Sequence, residues 1–358
     1  MPNQWARLRF SDRIRHGCSA LTKEHRMTIE TIAIEGLSTP VSRIGLGTWA
    51  IGGWMWGGTD EKDSIAVIRR ALDSGVNLID TAPVYGFGAS EEIVGKALAD
   101  GYRHKAVIAT KVALEWHDGK VFRNSTPQRI RHEVEDTLRR LRTDYIDLYQ
   151  VHWPDPLVPI EETAEVLNDL RKEGKVRALG VSNFSTAQMD AFRRVAPLST
   201  TQPPYNLFER EIDGEVLPYV KQHGLVALAY GALCRGLLAG RIGVETRFDG
   251  DDLRLRDPKF LEPRREQYVA AVKALNVFAR DNYNKSVLAL AVRWVLDRGP
   301  TIALWGARRP AQLDGFEEAF GWKLDEKAFK QIDAIVAHFV KDPIGPEFMA
   351  PPQRALAA

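Results

Sequence analysis

The sequence predicts an α/β fold: a closed (β/α)8 barrel of the TIM type with an insertion after strand seven. Three observations lead there. From residue 43 onward, short apolar runs alternate with longer amphipathic segments about every 25 to 40 residues, which is the rhythm of βα units. Eight such runs fit in a chain of 358 residues, and eight parallel strands close into a barrel. The runs also end in polar, chemically competent residues at one common end, where barrel enzymes carry their chemistry.

The expected strands are Ile44 to Gly47, Asn77 to Ile79, Ala106 to Thr110, Ile146 to Val151, Val176 to Val181, Ser199 to Thr201, Val226 to Ala229 and Thr301 to Leu304. Each is a short apolar run bounded by turn formers, as a strand covered on both faces should be. Helical patterns lie around Lys62 to Ser74, Ser90 to Ala99, Thr126 to Leu141, Ile160 to Lys172, Thr186 to Val195, Asp213 to His223, Ser286 to Asp297 and Pro310 to Glu317. Thr126-Pro127 reads as an N-cap with Pro in the first turn, and Arg171-Lys172 before Gly174 as a helix end with its glycine stop. The insertion extends to Pro263, and its Asp and Arg content marks the outer part as solvated.

A doubly wound nucleotide-binding sheet is the main competitor, because Gly45-Leu-Gly47-Thr-Trp-Ala50 matches a loose dinucleotide fingerprint. The context rejects it. The following Ile51-Gly-Gly-Trp-Met-Trp-Gly-Gly58 cannot begin a regular helix, so no helix N-terminus stands ready for a pyrophosphate.

Composition narrows the function classes. An apolar fraction of 44% is that of a soluble globular protein, and Lys plus Arg exceeds Asp plus Glu by only two, so nothing electrostatic points to nucleic acid or an anionic membrane. No apolar run approaches the roughly 20 residues that span a bilayer. Cys18 and Cys234 form no disulfide framework, and neither they nor the eight scattered histidines show metal-ligand spacing, so a cytoplasmic location without a metal centre is expected. Residues 1–26 hold six Lys or Arg against Asp12 and Glu24, leaving the remainder with a net charge of −2. They read as a poorly packed N-terminal extension, a weak transit-peptide match or an upstream start before Met27, with residues 27–358 as one domain. The Pro-rich run from Asp342 to Pro352 reads as a surface trail or a subunit contact ahead of a cover for the pocket mouth.

Polar residues recur at the strand ends. Strand two is followed by Asp80 and Tyr85, strand three by Lys111, and strand four by His152. Ser182 and Asn183 follow strand five, Gln202 strand six, Tyr230 strand seven, and Gly306 with Arg308 strand eight. Each alone has an ordinary structural reading, as a turn carboxylate, a core histidine or a loop amide. Their recurrence at the same end of seven consecutive strands favours a functional one.

The strings Asn77-Leu-Ile-Asp-Thr-Ala-Pro-Val-Tyr-Gly86, Ala109-Thr-Lys111, Asp147-Leu-Tyr-Gln-Val-His152 and Gly180-Val-Ser-Asn-Phe184 resemble aldo-keto reductase signatures. Gly47-Thr-Trp-Ala-Ile-Gly-Gly-Trp-Met-Trp-Gly-Gly58, Gln202-Pro-Pro-Tyr-Asn-Leu-Phe-Glu-Arg210 and Trp305-Gly-Ala-Arg-Arg309 resemble a bacterial branch of that family acting on small aldehydes and polyols. The resemblance implies NADP(H)-dependent carbonyl reduction, or the reverse oxidation, with Asp80, Tyr85, Lys111 and His152 as the catalytic set. It assigns Ser182, Asn183, Gln202 and Tyr230 to the nicotinamide end of the cofactor, and Thr48 and Trp49 to the cofactor site. Gly231, Leu233, Arg235, Gly236 and Leu237, within the segment Gly231 to Leu238, fall to the pyrophosphate. Gly306, Arg308 and Gln312 fall to the adenosine end, where a guanidinium at Arg308, with Arg309 beside it, favours a 2′-phosphate and hence NADP over NAD. Phe316 departs from the asparagine that relatives often carry, which weakens the adenine match.

Physical chemistry supports the catalytic set. Carbonyl reduction builds alkoxide character on oxygen, so the site needs a proton donor and a group that polarises the oxygen. Tyr85 suits the first role and His152 the second. An ordinary tyrosine has a pKa of about 10, and a nearby Lys111 cation held by Asp80 is expected to lower it. Trp49, Trp54, Trp56, Trp116 and Trp153 lie on or near the first four strand-end loops, and Trp49 and Trp153 are placed in the substrate pocket. Two rival functions stand beside this reading: a barrel aldolase using Lys111 as a Schiff-base nucleophile, and a regulatory, cofactor-binding but non-catalytic protein.

Overall fold

The computed structural model describes residues 29–354, so the expected extension over residues 1–26 lies outside the described residues. The chain opens with a small antiparallel hairpin, β1 (Thr31–Ile32) and β2 (Val41–Ser42), and enters the barrel at β3 (Ile44–Gly47) and β4 (Leu78–Asp80). After β5 (Val107–Val112) comes a second antiparallel hairpin, β6 (Leu114–His117) and β7 (Lys120–Arg123). The barrel then continues through β8 (Ile146–Val151), β9 (Val176–Ser182), β10 (Thr200–Gln202), β11 (Val226–Ala229) and β12 (Thr301–Gly306). Parallel pairing in the order β3-β4-β5-β8-β9-β10-β11-β12, with β12 returning to β3, closes the eight strands as the sequence predicts.

Helices α1 (Glu61–Asp73), α2 (Ala89–Ala97), α3 (Pro127–Leu141), α4 (Ile160–Lys172), α5 (Thr186–Arg193) and α6 (Val216–Gln222) follow the first six barrel strands. α7 (Arg264–Tyr283) and α8 (Val287–Leu296) separate β11 from β12, and α9 (Glu326–Phe339) packs against α7. The Thr126 hydroxyl accepts from Arg129 N, and Pro127 occupies the first helical position, so α3 starts where its capping pair predicts.

Two apolar layers hold the architecture. Inside the barrel Leu78, Val107, Leu148, Ala178, Leu228, Ile302 and Leu304 meet Ile34 and Val41, so the β1–β2 hairpin closes the end of the barrel opposite the strand C-termini. Between strands and helices a larger cluster includes Ile79, Ile108, Tyr149, Leu179, Leu290 and Trp294.

Several expectations change. α7 and α9 were not anticipated, although Tyr268, Val272, Leu275 and Ala279 give α7 a buried stripe at helical spacing and Asn284 ends it in the left-handed region (φ 52°). The helix expected over Pro310 to Glu317 is instead two 3-10 turns, Pro310–Leu313 and Phe316–Ala319, because Gly315 between them adopts φ +82°. The Asp342 to Pro352 run does not trail away. Arg123 Nε donates to Pro351 O at 2.9 Å, Arg123 N donates to Pro352 O at 3.0 Å, and Gln353 bridges in parallel to Arg123.

Candidate active site

Asp80 ends β4 at the same level as Gly47 and Ala109 of its neighbours, with its carboxylate inside the C-terminal mouth of the barrel. Lys111 Nζ lies 2.7 Å from Asp80 Oδ1 and donates to Thr81 O at 3.0 Å, and neither side chain of the pair has appreciable contact with solvent. Gln202 Nε2 donates to the other oxygen, Asp80 Oδ2, at 2.8 Å. Both carboxylate oxygens are therefore engaged by donors fixed on other strands.

Tyr85 sits in the loop after β4, stacked on Trp49 with ring centroids 6.0 Å apart, and it meets His152 edge to face at 5.8 Å. The Lys111 ammonium lies 5.0 Å from the Tyr85 ring centroid. Close apposition of two loops brings Tyr85 to this place. A Cβ on Gly86, which adopts φ +66°, would lie 2.1 Å from Gly52 O, so only glycine allows that approach. His152 directly follows β8, and its N–H continues the ladder to Val112 O at 2.9 Å. The four expected catalytic residues thus come together from β4, β5 and β8.

Burial, and after it the Asp80 carboxylate, pushes the Tyr85 phenol well above its ordinary value. This corrects the expectation that Lys111 lowers it. The Lys111 charge is largely offset by Asp80 at contact distance, so the desolvation of Tyr85 prevails. Burial pulls the Lys111 amine down, against Asp80, which raises it. Burial and the Lys111 charge hold His152 well below the usual histidine value, so its imidazole is neutral at physiological pH.

The residues expected to bind the cofactor fall into three groups. Ser182, Asn183, Gln202 and Tyr230 form one network: the Tyr230 hydroxyl donates to Asn183 Oδ1 at 2.9 Å, Asn183 Nδ2 donates to His152 O at 3.0 Å, and Ser182 Oγ donates to Gln202 O at 2.7 Å. Gly231, Leu233, Arg235, Gly236, Gly306, Arg308 and Gln312 line a groove of about 210 Å³ that also holds Trp49, Trp56 and Arg254. Thr48 and Leu237 are buried outside its lining. The Thr48 hydroxyl donates to Asp80 O at 2.9 Å, which makes it a support for the end of β4. The Arg235 guanidinium is paired with Glu209 at 2.7 Å, so toward a ligand it offers backbone rather than charge. Gln312 Oε1 accepts from Arg308 N at 2.7 Å and Arg309 N at 3.1 Å, and Arg309 itself points to Asp63 at 3.7 Å.

A second cavity of about 380 Å³ opens beside the groove, walled by Trp49, Trp54, Trp153, Leu114, Val121 and Leu253 and reaching Tyr85 and His152. Trp49 and Trp153 are both in its lining, whereas Trp116 is not and Trp56 faces the groove. Phe348, Met349, Pro351 and Pro352 complete it, so the C-terminal run is a wall of the pocket rather than a surface trail. Trp49, Tyr85, Tyr230 and Met349 line both spaces, and Tyr85 stands where they meet.

Residues 43–337 match the model of the aldo/keto reductase family. The chain belongs to the aldo-keto reductases. It is 59% identical over 328 residues to aldo-keto reductase YhdN of Bacillus subtilis, covering 91% of this chain and 99% of that one. The NADH-specific methylglyoxal reductase of Escherichia coli is 36% identical, with 76% of this chain and 88% of that one covered. Among solved structures, the glycerol dehydrogenase AKR11B4 from Gluconobacter oxydans superposes with a TM-score of 0.81 at 57% identity, over 91% of this chain and all of that chain. An aldo/keto reductase from Klebsiella pneumoniae in complex with NADP and acetate gives a TM-score of 0.67 at 30% identity, over 86% and 96%. The protein is therefore an oxidoreductase, and structural homologues bind NADP(H).

Sequence reasoning missed the part of this aldo-keto reductase's site that lies outside the strand ends. Arg254 comes from the insertion, Arg256 from the same loop, and Phe348 and Met349 from the C-terminal run. The loop from Gly53 to Gly58 also reaches the insertion: Met55 N and Gly57 N both donate to the Asp251 carboxylate, at 2.7 and 3.0 Å. The only available signal was the run of glycines and tryptophans at 52–58, which marks an irregular loop without naming its partner.

Proposed function

We propose that this aldo-keto reductase reduces small aldehydes and ketones with NADPH, and runs the matching alcohol oxidation in reverse, with Tyr85 as the general acid. The observation that carries the reading is the position of Tyr85, at the junction of an apolar cavity and a glycine-lined groove, above the buried Asp80–Lys111 pair and beside a neutral His152.

The groove suits a dinucleotide. Gly47 and Gly306 are paired across β3 and β12, and a Cβ on either would meet nothing closer than 3.9 Å, so the floor is bare backbone. Gly231, Leu233 and Gly236 would hold the pyrophosphate, and Tyr230 the nicotinamide face, with Asn183 and Gln202 at its carboxamide. Arg308 and Arg254 would bind a 2′-phosphate. Their proximity supports this, because Arg308 is held below the usual arginine value by burial and then by the neighbouring Arg254 and Arg309 charges, and a phosphate would relieve that repulsion. When bound, NADP(H) supplies or accepts the hydride.

The chain's own residues handle the oxygen. A neutral His152 donates a hydrogen bond to the carbonyl oxygen and orients it. As the C=O π pair moves onto oxygen, Tyr85 gives up its proton to form the alcohol, and the Lys111 ammonium beneath the ring offsets the phenolate that results. Asp80 fixes that ammonium, and Trp49 with the C-terminal wall limits water at the reacting carbon. A phenol held protonated by its surroundings fits the reducing direction. The aldolase alternative loses support, since Lys111 Nζ is fully buried and engaged by Asp80 and Thr81.

Fluorescence titration with NADPH and, separately, NADH, followed by a spectrophotometric screen of small aldehydes including methylglyoxal and glyceraldehyde, tests the reading. Tight NADPH binding with oxidation on aldehyde addition is the expected result. Binding without turnover favours the regulatory alternative.

A further inference from the structure

Arginines surround both cavities, and the neighbouring ones have structural partners. Arg123 donates to Pro351 O and Pro154 O, Arg235 pairs with Glu209 and Asp257, Arg254 with Asp252, and Arg308 donates to Trp56 O. Arg256 differs. It lines the 380 Å³ cavity, is exposed, and its guanidinium meets no hydrogen-bond or ion-pair partner among the described residues.

Its place at the lip is fixed from both sides. Leu253 and Asp257 are buried, Arg256 N donates to Leu253 O at 2.9 Å, and Asp257 N donates to the same oxygen at 3.1 Å. Asp257 is anchored in turn by Arg235 Nε at 3.1 Å. The backbone is pinned while the side chain is left unengaged. Among the described residues no Asp or Glu lines the cavity, and the remaining walls are aromatic, aliphatic, proline, methionine or uncharged polar groups. Arg256 is therefore the one charged side chain in a described lining otherwise made of apolar and uncharged polar groups.

We propose that Arg256 selects carbonyl substrates that carry an anionic group, a carboxylate or a phosphate, remote from the reacting carbon. This rests on the reductase reading given above. A guanidinium matches both anions with paired N–H donors, and no carboxylate in the described lining competes for it. The carbonyl end sits against Tyr85 and His152 and the anionic end against Arg256, so a substrate bearing both groups is held at two points and a neutral aldehyde at one. The charge also draws anions toward the mouth before contact, an effect that weakens with salt.

The test compares kcat/KM with NADPH for 4-oxobutanoate against butanal, and for glyceraldehyde 3-phosphate against glyceraldehyde, in wild type and Arg256→Gln. The substitution should lower kcat/KM for at least one anionic substrate about tenfold, mainly through KM, as expected for losing a charge-assisted hydrogen bond. Neutral partners should stay within about twofold, as should the NADPH Kd. Raising ionic strength should shrink the wild-type preference and leave the variant unchanged. Response to the carboxylate alone or the phosphate alone identifies the anion. Equal effects on charged and neutral substrates, or none, overturn the proposal. Absence of turnover with every carbonyl would instead refute the reductase reading. Calorimetric binding of 4-oxobutanoate in the presence of NADP+ still decides the Arg256 role in that case, because Arg256→Gln must weaken it.

Discussion

Asp80→Asn tests the centre of the site most directly, because it keeps size and shape and changes one charge. Asp80 accepts two hydrogen bonds on opposite oxygens, from Lys111 Nζ at 2.7 Å and from Gln202 Nε2 at 2.8 Å. Asparagine offers one acceptor and one NH2 group, so in either amide orientation one of the two donors faces another donor. The charge term is larger. At the 2.7 Å separation, and with an effective dielectric constant of about 20, Coulomb attraction is about 6 kcal/mol, which bounds the loss from above. Breaking a buried pair by removing one partner typically costs about 3–5 kcal/mol, because the remaining charge stays desolvated. Lys111, already pulled down by burial, then loses the group that raises it and moves further toward the neutral amine. Urea unfolding should show a loss of about 3 kcal/mol or more, and NADPH-dependent aldehyde reduction should lose at least about tenfold in kcat as the phenolate loses its counter-charge. A variant with the wild-type urea midpoint and wild-type kcat would show that the pair neither supports the fold nor reaches Tyr85.

Other outcomes follow from single contacts. Tyr85→Phe should leave the NADPH Kd nearly unchanged in a fluorescence titration while lowering kcat about 100-fold or more, the range for loss of a general acid. Arg308→Ala should weaken NADPH about tenfold and leave NADH unaffected, since only the former places a phosphate there. Burial pushes Glu133 up to about 8 against the pull of Arg129. That folded value lies above the ordinary carboxylate one, so the contribution is present at low pH and lost as pH rises from roughly 4.5 through 8, with a limiting slope of about 1.4 kcal/mol per unit. Glu133→Gln should remove this slope, so its melting temperature should gain on wild type between pH 5 and pH 8. Arg123→Ala should release Pro351 O and Pro154 O, loosen the C-terminal wall, and raise aldehyde KM at constant NADPH Kd.

The barrel and the gathering of Asp80, Lys111 and His152 at one end of it were legible because local chemistry and position coincide there. Asp80, Lys111 and His152 each stand at the end of an apolar run, and alternation of strand and helix alone puts those ends on one face. Tyr85 could be placed as well, five residues after its strand. The electrostatic result was not legible. Whether Lys111 lowers Tyr85 depends on how completely Asp80 neutralises it, and that is a distance of 2.7 Å between strands, which no local pattern encodes. The walls were harder still. Arg254, Arg256, Phe348 and Met349 come from segments with no strand-end position, and loop closure over long separations leaves no periodicity to read. The C-terminal run resembles a trail because prolines cannot join a ladder as donors, yet Arg123 supplies the donors from the other side.

A buried group of four charges links those distant walls. Glu209 Oε1 lies 2.7 Å from Arg235 Nη1 and 2.8 Å from Lys259 Nζ, and Arg235 Nε lies 3.1 Å from Asp257 Oδ2. Burial alone would raise Glu209, but the Arg235 and Lys259 charges outweigh it and hold the carboxyl below its ordinary range. Two cations and two anions cancel, so the group is electrically neutral as a whole. Apolar side chains of similar volume would fill the space as stably, so stability alone does not account for it. Hydrogen-bonded charges fix direction, however, and the members come from three stretches of chain: Glu209 after β10, Arg235 after β11, and Asp257 with Lys259 in the insertion. Arg235 sits in the groove loop, Asp257 directly follows Arg256 at the cavity lip, and Lys259 Nζ donates to Gly345 O at 3.2 Å, three residues before Phe348 enters the pocket wall. A shift of any one of these loops would break a directional contact in a place where water cannot replace it. The same buried point therefore sets the shape of the groove and of the cavity together.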